Sequence, residues 1–490
     1  MKRRIFSKMI LSVLLVCTLF TTVACSNSDE YITKGTNLNQ EDLNSSDRVT
    51  IYTYVDPDNK DLHYDQDTKF YYPLLDMVHM YNNYCSLNKM GEYSVKVVSF
   101  SSRDRMIQQM STEIMAGGGP DIIILDNELP ISKLINQGAF ADMNTLLKND
   151  KSERKINLDD YDNTLMDTGV FKGKRYMMPM LIEPDIYISN SALFKDYDLA
   201  TNTRLTYSNI NNKLKKFANN SNNLSLTDSY SSSKEIILQY INDNINKKDY
   251  TTDFETKKFK STIESLKKLV KKSIADTKTT KDLSKSECLL SKGTTDKETG
   301  IYTPYNFSLT HMSGYSSTQT TFTGGITEKK NQSRATISCG FMINNNSNKK
   351  EKAFEFIKYS LGERMQRFIT FDSTYGDTYN ITVNKDALNN SLSSFAYGDT
   401  YNITVSKDAL NNSLSSFAYG DTDFDEIKEQ DSFMDKYISY INSINTYEIR
   451  DGYYNDKVIG SLVDDYLQDK ISIDNFIANL NSKTKIYLYE

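Results

Sequence analysis

The amino-acid sequence predicts an α/β fold in two lobes, each a mostly parallel sheet flanked by helices. The first observation is a strand, an amphipathic helix and a second strand in succession within residues 93–147, which is the pattern of a β-α-β unit. The second is length: the 490-residue chain exceeds the ~250–300 residues that one hydrophobic core usually serves. We therefore expect two lobes built on parallel strands with crossover helices.

Each element of this unit is predicted by its own residues. Residues 95–100 alternate between apolar and other side chains, as in a strand. Ser101 and Asp104 form a predicted capping box at the start of a helix, whose apolar residues then recur on one face. The glycines and proline at 117–120 end that helix. The apolar run at 122–125 is typical of a strand that is covered on both faces.

Polar side chains directly follow the second strand. Asp126, Asn127 and Glu128 occupy the three positions after it, and ligands of open α/β sheets bind at the carboxyl ends of strands. These residues are therefore candidates for contact with a ligand. The alternative is that Asp126 caps a helical segment that begins near Leu129.

The first 24 residues predict a leader that is absent from the mature protein. Basic residues precede an apolar stretch at 10–20, which is too short to span a bilayer. The motif at 22–25, Thr-Val-Ala-Cys, resembles a bacterial lipoprotein cleavage site, which implies cleavage before Cys25 and a palmitate-bearing lipid on its sulfur. The alternative is an ordinary signal peptide in which Cys25 is incidental. Residues 25–47 are polar and predict a flexible tether.

Composition argues against several classes of function. The net charge of −6 becomes more negative once the basic leader is lost, which argues against a nucleic-acid partner. Beyond the leader and Cys25, the cysteines are Cys85, Cys288 and Cys339, with no CxxC spacing. One disulfide is possible, but we favour buried thiols. The three histidines form no metal-binding pattern, and we expect neither a metal site nor a cofactor.

The rest of the chain continues the alternation of strands and helices. A first strand at 49–55 and a helix at 71–84 precede the β-α-β unit, so the sequence up to residue 147 predicts a parallel-sheet lobe. Residues 176–182 are predicted to be extended, because the neighbouring prolines disfavour a helix. Further helices are predicted at 234–245, at 256–274, at 350–369 and within 424–490.

A tandem duplication occupies residues 375–418. The 22-residue sequence at 375–396 recurs at 397–418 with a single difference, Asn384 against Ser406. One hypothesis is a repeat module for binding. We favour an accidental duplication, because two copies are too few for a solenoid. One copy then fills the structural position, and the other forms a loop at low closure cost.

Segments along most of the chain resemble, in order, extracellular solute-binding proteins of the carbohydrate-uptake ABC transporter type, the family that contains maltose-binding protein. Beyond the leader and the first strand, the matching segments are MAGGGPDIIILDN, INQGAFADMNTLL, FKGKRYMMPMLIEPDIYISNSALF, CLLSKG, ATISCGFMINNNSNKKEKAFEFIKYSLGERMQ, ITVNKDAL and YLQDKISIDNFIANLNSKTKIYLYE. The resemblance implies a type II periplasmic-binding-protein-like fold, in which a ligand is clamped between two lobes joined by hinge strands. It places crossings near Glu183, Tyr302 and Gly340. It implies that lobe 1 comprises 48–183 and 301–339, and that lobe 2 comprises 184–300 and 340–490.

The same resemblance implies candidate ligand contacts. Glu183 matches a carboxylate that hydrogen-bonds sugar hydroxyls, and Asp126 or Asn127 matches a polar contact after the second strand. Tyr54 and Asp56 follow the first strand, where the family also contacts its ligand. A salt bridge at the hinge is the alternative for Glu183, and an ordinary loop turn is the alternative for Tyr54 and Asp56.

Aromatic contacts form a further prediction. The family stacks sugar rings on tryptophan, and this chain has none, so Tyr302, Tyr305 and Tyr315 are the candidates to replace it. The alternative is that these residues reflect composition alone, since the chain carries 34 tyrosines. The acidic residues between positions 56 and 67 lack the EF-hand spacing, and we interpret them as a solvated loop.

We therefore expect a monomeric binding protein, lipid-anchored at the extracellular face of the bacterial cytoplasmic membrane. It captures a carbohydrate, specifically an oligosaccharide, between two lobes and delivers it to an ABC permease. It is not expected to be an enzyme. The alternatives are a surface-anchored glycan hydrolase and a surface binding protein without a role in transport.

Overall fold

The computed structural model of the chain describes residues 47–54, 71–152, 154–190, 195–197, 199, 204–219, 226–227, 230–246, 251–279, 289–290, 293–295, 302–304, 320–367, 381–384 and 439–489. The chain divides into two compact units, Met1–Pro120 and Asp121–Glu490. The lobe boundaries expected from the family resemblance stay a prediction.

The first unit contains a parallel strand pair with two helices. Strand β1 (Val49–Tyr54) runs parallel to β2 (Val95–Phe100). Helix α1 (Tyr71–Leu87) lies between these strands in the chain, and α2 (Arg103–Met115) follows them. The predicted apolar face of α2 is confirmed, because its buried residues are Met106, Met110 and Ile114.

Helix α2 has a different N-cap from the one predicted. The cap is Ser102, whose backbone is extended and whose Oγ accepts from the Arg105 amide at 3.4 Å. Ser101 lies one residue earlier, and its Oγ accepts from the Arg105 side chain at 3.2 Å. The predicted Ser101–Asp104 capping box is therefore wrong. The chain needs two residues, rather than one, to turn from β2 into the helix.

We expect Ser102→Ala to lower the free energy of unfolding by about 0.5–1 kcal/mol, because a helix N-terminal amide loses its acceptor. Ser101→Ala is the matched control and is expected to change it less, since only an exposed side-chain contact is lost. Urea denaturation of both variants measures the difference. Equal losses would show that the cap is shared between the two serines.

The second unit is built around a mixed sheet. Its order is β14-β6-β13-β3, with β15 added beside the first residues of β13. The strands of this unit are β3 (Ile122–Ile124), β4 (Val170–Phe171), β5 (Lys174–Arg175), β6 (Met178–Pro184), β7 (Ile186–Asn190), β8 (Ile245–Asn246), β9 (Thr251–Thr252), β10 (Gly293–Thr295), β11 (Tyr302–Pro304), β12 (Thr320–Gly324), β13 (Arg334–Ile343), β14 (Ile381–Thr382) and β15 (Thr446–Glu448).

This sheet is less parallel than predicted. Among the described strands, β13 is antiparallel to both β3 and β6 and parallel to β15. The difference arises because β13 comes from far along the chain and runs in the opposite direction to β3 and β6. Short sequence patterns do not indicate the direction of a strand relative to its neighbours in the sheet.

Helices of the second unit form a large hydrophobic core beside the sheet. Two stacked ring pairs lie within this core, Tyr240 with Phe259 and Tyr466 with Phe476. The helices are α3 (Ile131–Asn136), α4 (Met143–Asn149), α5 (Asn163–Met166), α6 (Ile210–Lys213), α7 (Lys215–Asn219), α8 (Tyr230–Asp243), α9 (Lys257–Thr279), α10 (Lys350–Leu361), α11 (Glu363–Arg367), α12 (Gly460–Leu467) and α13 (Ile473–Tyr489). The predicted helices near 234–245, 256–274 and 350–369 correspond to α8, α9 and the pair α10–α11.

The described chain passes between the sheet and the helical core at several places, two of which flank β7 and β12. The first lies at Asp185, between β6 and β7, next to the crossing predicted near Glu183. The second lies at 325–333, between β12 and β13. Gly340 lies inside β13 opposite Pro179, and the crossing expected near it stays a prediction. An added Cβ on Gly340 would lie 2.5 Å from the sulfur of Met177, so the Met177 side chain would have to move.

The first copy of the duplication contributes to the sheet. Its Ile381 and Thr382 form β14, which pairs with β6, and its Asn384 is buried. One copy therefore fills a structural position, as predicted. The second copy, 397–418, lies outside the described residues.

Cys85 and Cys339 are buried thiols, as expected, whereas Cys25 and Cys288 lie outside the described residues. Within the part of the chain that the structure describes, no helix has the length and hydropathy needed to cross a membrane. The same part holds no cluster of three or more metal-ligating side chains.

Candidate ligand-binding site

Strand register in the second unit gathers carboxylates on one face of the sheet. Thr336 of β13 lies opposite Glu183 of β6 on one side and opposite Glu448 of β15 on the other. Directly opposed residues point to the same face, as do residues two apart along a strand. Arg334 therefore shares this face, and so does Asp185, whose amide donates to the Arg334 carbonyl at 3.0 Å.

Arg334 is the centre of a buried ionic network on that face. Its side chain is 3% exposed, and its Nη2 lies 2.6 Å from Asp243 Oδ2 on α8. Its Nη1 lies 4.0 Å from Glu448 Oε2. Gln239, one turn before Asp243, donates from Nε2 to Glu448 Oε2 at 2.7 Å. The network thus ties β13 and β15 of the sheet to helix α8 of the helical core.

The network changes the pKa of Asp243. Burial raises the pKa of this carboxyl from 3.8 to about 6, and the nearby Glu448 adds to the increase while Arg334 opposes it. Burial also raises the pKa of the Tyr207 hydroxyl, with Asp243 adding to the effect. Asp243 is therefore held as a carboxylate only at some cost in folding free energy.

We expect this cost to appear in the pH dependence of stability. The folded protein binds the Asp243 proton more tightly than the unfolded chain does, so stability falls as pH rises from about 4 to about 6. The predicted loss is on the order of 1–3 kcal/mol, since one pKa unit corresponds to about 1.4 kcal/mol. We expect Asp243→Asn to abolish this pH-dependent loss of stability.

Urea denaturation at pH 4 and pH 7 measures the pH dependence of the free energy of unfolding, with Asp104→Asn as a control at an exposed carboxylate. Parallel pH profiles for the wild type and Asp243→Asn would contradict the prediction.

A cleft opens next to this network, between the start of β7 and helix α8. The space among its lining atoms, open solvent included, is about 230 Å³, and its enclosed part has room for about one water molecule. Its polar and aromatic lining residues are Asp185, Tyr187, Tyr207, Glu235 and Gln239, and Ile236 and Ile326 complete it. Carboxylate and amide oxygens beside aromatic rings suit a ligand with both polar and apolar faces.

The backbone around Asp185 is tightly held. Its carbonyl accepts from the Gly325 amide and from the Tyr440 hydroxyl, both at 2.7 Å. An added Cβ on Gly325 would lie 1.9 Å from Asp185 Oδ2. Because Gly325 has no side chain, the Asp185 carboxylate can lie directly against its backbone. On the other side of the cleft, Arg450 Nη2 holds Glu235 Oε1 at 3.1 Å.

The polar residues after β3 have local structural roles. Asp126 Oδ1 accepts from the Glu128 amide at 2.8 Å. The carboxylate therefore stabilises the turn after the strand, a role similar to the helix cap that was the alternative prediction. Helix α3 begins later, at Ile131. Asn127 lies against the segment after β15, where its carbonyl accepts from the Tyr453 amide at 2.7 Å.

The other predicted contacts are distributed differently. Glu183 is the one that the described structure brings beside the network, through the register with Thr336. Tyr54 ends β1 in the first unit, and Tyr302 begins β11, which pairs with β10. Asp56, Tyr305 and Tyr315 lie outside the described residues. Ligand contact by any of these residues stays a prediction.

Sequence reasoning missed most of the residues around the cleft. Asp185 and Tyr187 lie within the segment around Glu183 that carries the family resemblance. Their positions two and four residues after Glu183 could have indicated that they lie near the same site. Arg334, Asp243 and Glu448 come from three distant segments. No local motif marks them.

Solved structures with similar folds cover nearly the whole chain. A putative oligosaccharide periplasmic-binding protein from Synechococcus sp. MITs9220 aligns with a TM-score of 0.57 at 11% identity, over 90% of this chain and 98% of the other. The ABC substrate-binding protein of Listeria monocytogenes in complex with cycloalternan aligns with a TM-score of 0.52 at 15% identity, over the same shares. A sugar transporter from Rhizobium etli in an open conformation aligns with a TM-score of 0.52 at 16% identity, over 89% and 99%. These likenesses confirm the periplasmic-binding-protein-like fold.

The fold and the cleft define a ligand-binding protein of the periplasmic-binding-protein class. A family model described as bacterial extracellular solute-binding protein matches residues 82–397. The chain therefore belongs to the bacterial extracellular solute-binding protein family, as its motifs predicted. No curated protein sequence matches it.

Proposed function

We propose that this protein captures a carbohydrate outside the cell and delivers it to an ABC permease. Family membership supports solute binding. The structural relatives described as sugar or oligosaccharide binders support the carbohydrate class. The observation that carries the proposal is the cleft, in which Tyr187 and Tyr207 lie beside Asp185, Glu235 and Gln239.

The chemistry of the cleft matches that of a sugar. A carboxylate accepts hydrogen bonds from two hydroxyls at once, and an amide oxygen accepts another. Aromatic rings offer an apolar face to the C–H side of a sugar ring. The enclosed part of the cleft has room for about one water molecule. A sugar would therefore contact the lining residues from the mouth of the cleft.

Isothermal titration calorimetry with a panel of neutral oligosaccharides tests the proposal, with chromatography of the mixtures after incubation. We expect saturable binding and no released fragments. Asp185→Asn is expected to weaken binding, whereas Asp104→Asn, at an exposed position on α2, is not. Fragment release would identify a glycan hydrolase instead, and the absence of heat with every saccharide would refute carbohydrate capture.

The finer features of this function are also proposals. We propose that the mature protein is a monomer, anchored at the extracellular face of the membrane through a lipid on Cys25. The leader and its Thr-Val-Ala-Cys motif support this anchor. Metabolic labelling with palmitate tests it. Label is expected on the wild-type protein and not on Cys25→Ser, and label on both would contradict the assignment.

A further inference from the structure

Three of the passages between the sheet and the helical core lie beside the buried network of Arg334. They are Asp185 between β6 and β7, 325–333 between β12 and β13, and 449–453 after β15. Arg334 directly follows the second passage, and Glu448 directly precedes the third. The network therefore lies where a change in the position of the core relative to the sheet would be concentrated.

Side chains of the network join the ends of these strands to a single helix of the core. Arg334 Nη2 on β13 lies 2.6 Å from Asp243 Oδ2 on α8. Gln239, one turn earlier on α8, donates to Glu448 Oε2 on β15 at 2.7 Å. Movement of α8 away from the sheet would break both contacts and bring the Asp243 carboxyl into contact with water.

The charges in this network do not balance when every group is ionised. Asp243 faces Arg334 on β13, Glu448 on β15 and the Tyr207 hydroxyl from the segment before α6. Asp185, at the first passage, also acts on Arg334. One guanidinium thus lies among several carboxylates, two of which, Asp243 and Glu448, are largely buried. A proton on Asp243 removes one negative charge from this site.

Buried donors of the same network lack acceptors. Arg334 Nε and Nη1 and the Tyr207 hydroxyl make no hydrogen bond within the described residues, because even Glu448 Oε2 lies 4.0 Å from Nη1. Tyr207 also lines the adjacent cleft, whose enclosed part has room for about one water molecule. Unsatisfied donors make the contact between sheet and helix less favourable, and a water molecule there would connect the network to solvent.

We propose that the Arg334 network is a proton-dependent contact between the sheet and helix α8, which joins the helical core to the sheet when protonated and favours their separation when deprotonated. In the joined arrangement, burial and the nearby Glu448 raise the pKa of Asp243 from 3.8 to about 6, although Arg334 opposes the increase. A carboxyl group in contact with water keeps the lower pKa. The joined arrangement therefore binds the proton more tightly, and the ratio of separated to joined molecules rises with pH. The identity of the ligand does not enter this argument.

Single-molecule fluorescence energy transfer between the sheet and the core measures this ratio in the folded protein. Dyes are placed at Glu351→Cys on α10, which packs against β13, and at Lys268→Cys on α9, which packs against α8. Cys25 and Cys288 are replaced by serine throughout. We expect two populations whose ratio changes about tenfold between pH 5 and pH 8, in favour of separation at pH 8. A constant ratio over this range overturns the proposal.

Variants assign the pH dependence to Asp243. Asp243→Asn has no proton to lose, so the population that dominates the wild type at pH 5 is expected to persist up to pH 8. Asp104→Asn, at an exposed position on α2, is expected to keep the wild-type pH dependence. The same pH dependence in Asp243→Asn as in the wild type overturns the role of this carboxyl. A purely structural role would change the ratio equally at every pH.

Should Asp243→Asn fail to fold, Glu448→Gln supplies the test. It removes the negative charge that helps to raise the pKa of Asp243, so the change in the ratio is expected to end at a lower pH than in the wild type. Circular dichroism verifies that the variant is folded. A transition at the wild-type pH in folded Glu448→Gln overturns the proposal.

Discussion

Replacement of Arg334 by methionine is expected to lower the free energy of unfolding by about 3–5 kcal/mol, the cost of removing one partner from a buried ion pair. Arg334 is the cation between Asp243 and Glu448, and its side chain is 3% exposed. Without it, two carboxylates face each other in a site with little access to water. Methionine fills a similar volume, so most of the loss is electrostatic.

The pH dependence of this loss gives the sharper test. When Asp243 is protonated, removal of Arg334 leaves no unpaired charge at this carboxyl group, and burial already raises its pKa to about 6. The destabilisation by Arg334→Met is therefore expected to be larger at pH 8 than at pH 5. Chemical denaturation at both values measures it, with Arg364→Met on α11 as the control, since Arg364 is exposed.

A double variant separates charge from packing. Asp243→Asn added to Arg334→Met is expected to recover part of the lost stability, because the two residues share one network and their effects do not add. Equal losses at pH 5 and pH 8, together with additive effects in the double variant, would show that Arg334 acts through packing alone.

Substitution of Gly325 by alanine is the second large effect, and it concerns binding. The new Cβ would lie 1.9 Å from Asp185 Oδ2 and 2.3 Å from its Cγ. Such distances are far below contact, so the Asp185 carboxylate must leave its position. We expect the affinity for a neutral saccharide to fall at least about tenfold, which corresponds to about 1.4 kcal/mol.

Gly118→Ala is the matched control. An added Cβ there has its nearest neighbour at 3.7 Å, so the same chemical change meets no obstacle. Calorimetric titration of both variants, with melting temperatures to verify folding, measures the effect. Wild-type affinity in a folded Gly325→Ala would show that the Asp185 carboxylate does not contact the ligand.

Local elements of this fold were predictable because their signals lie within a few residues. The alternation at β2 and the spacing of Met106, Met110 and Ile114 on α2 both follow from the period of the element, and the structure confirms them. The cap of α2 was misplaced by one residue, because two adjacent serines satisfy the same pattern. Only the backbone geometry at Ser102 distinguishes them.

The rule that ligands bind at the carboxyl ends of strands was less informative about Asp126. Its position after β3 predicted either a ligand contact or a cap, and both depend on a polar side chain at a strand end. In the structure its Oδ1 accepts from the Glu128 amide. The rule identifies the edge of the sheet where polar groups gather, but it does not say which of them the local backbone uses.

By itself, the sequence determined the elements, the class of fold and the family, because periodicities and short motifs act over a few residues and recur in a characteristic order. The tertiary structure decided the direction of β13 and the cluster of Arg334 with Asp243 and Glu448, which lie far apart in the chain. Burial alone converts these ordinary charged residues into an oriented network beside a cleft. Pairings over such separations depend on packing of the whole second unit, for which no local stretch of sequence carries a signal.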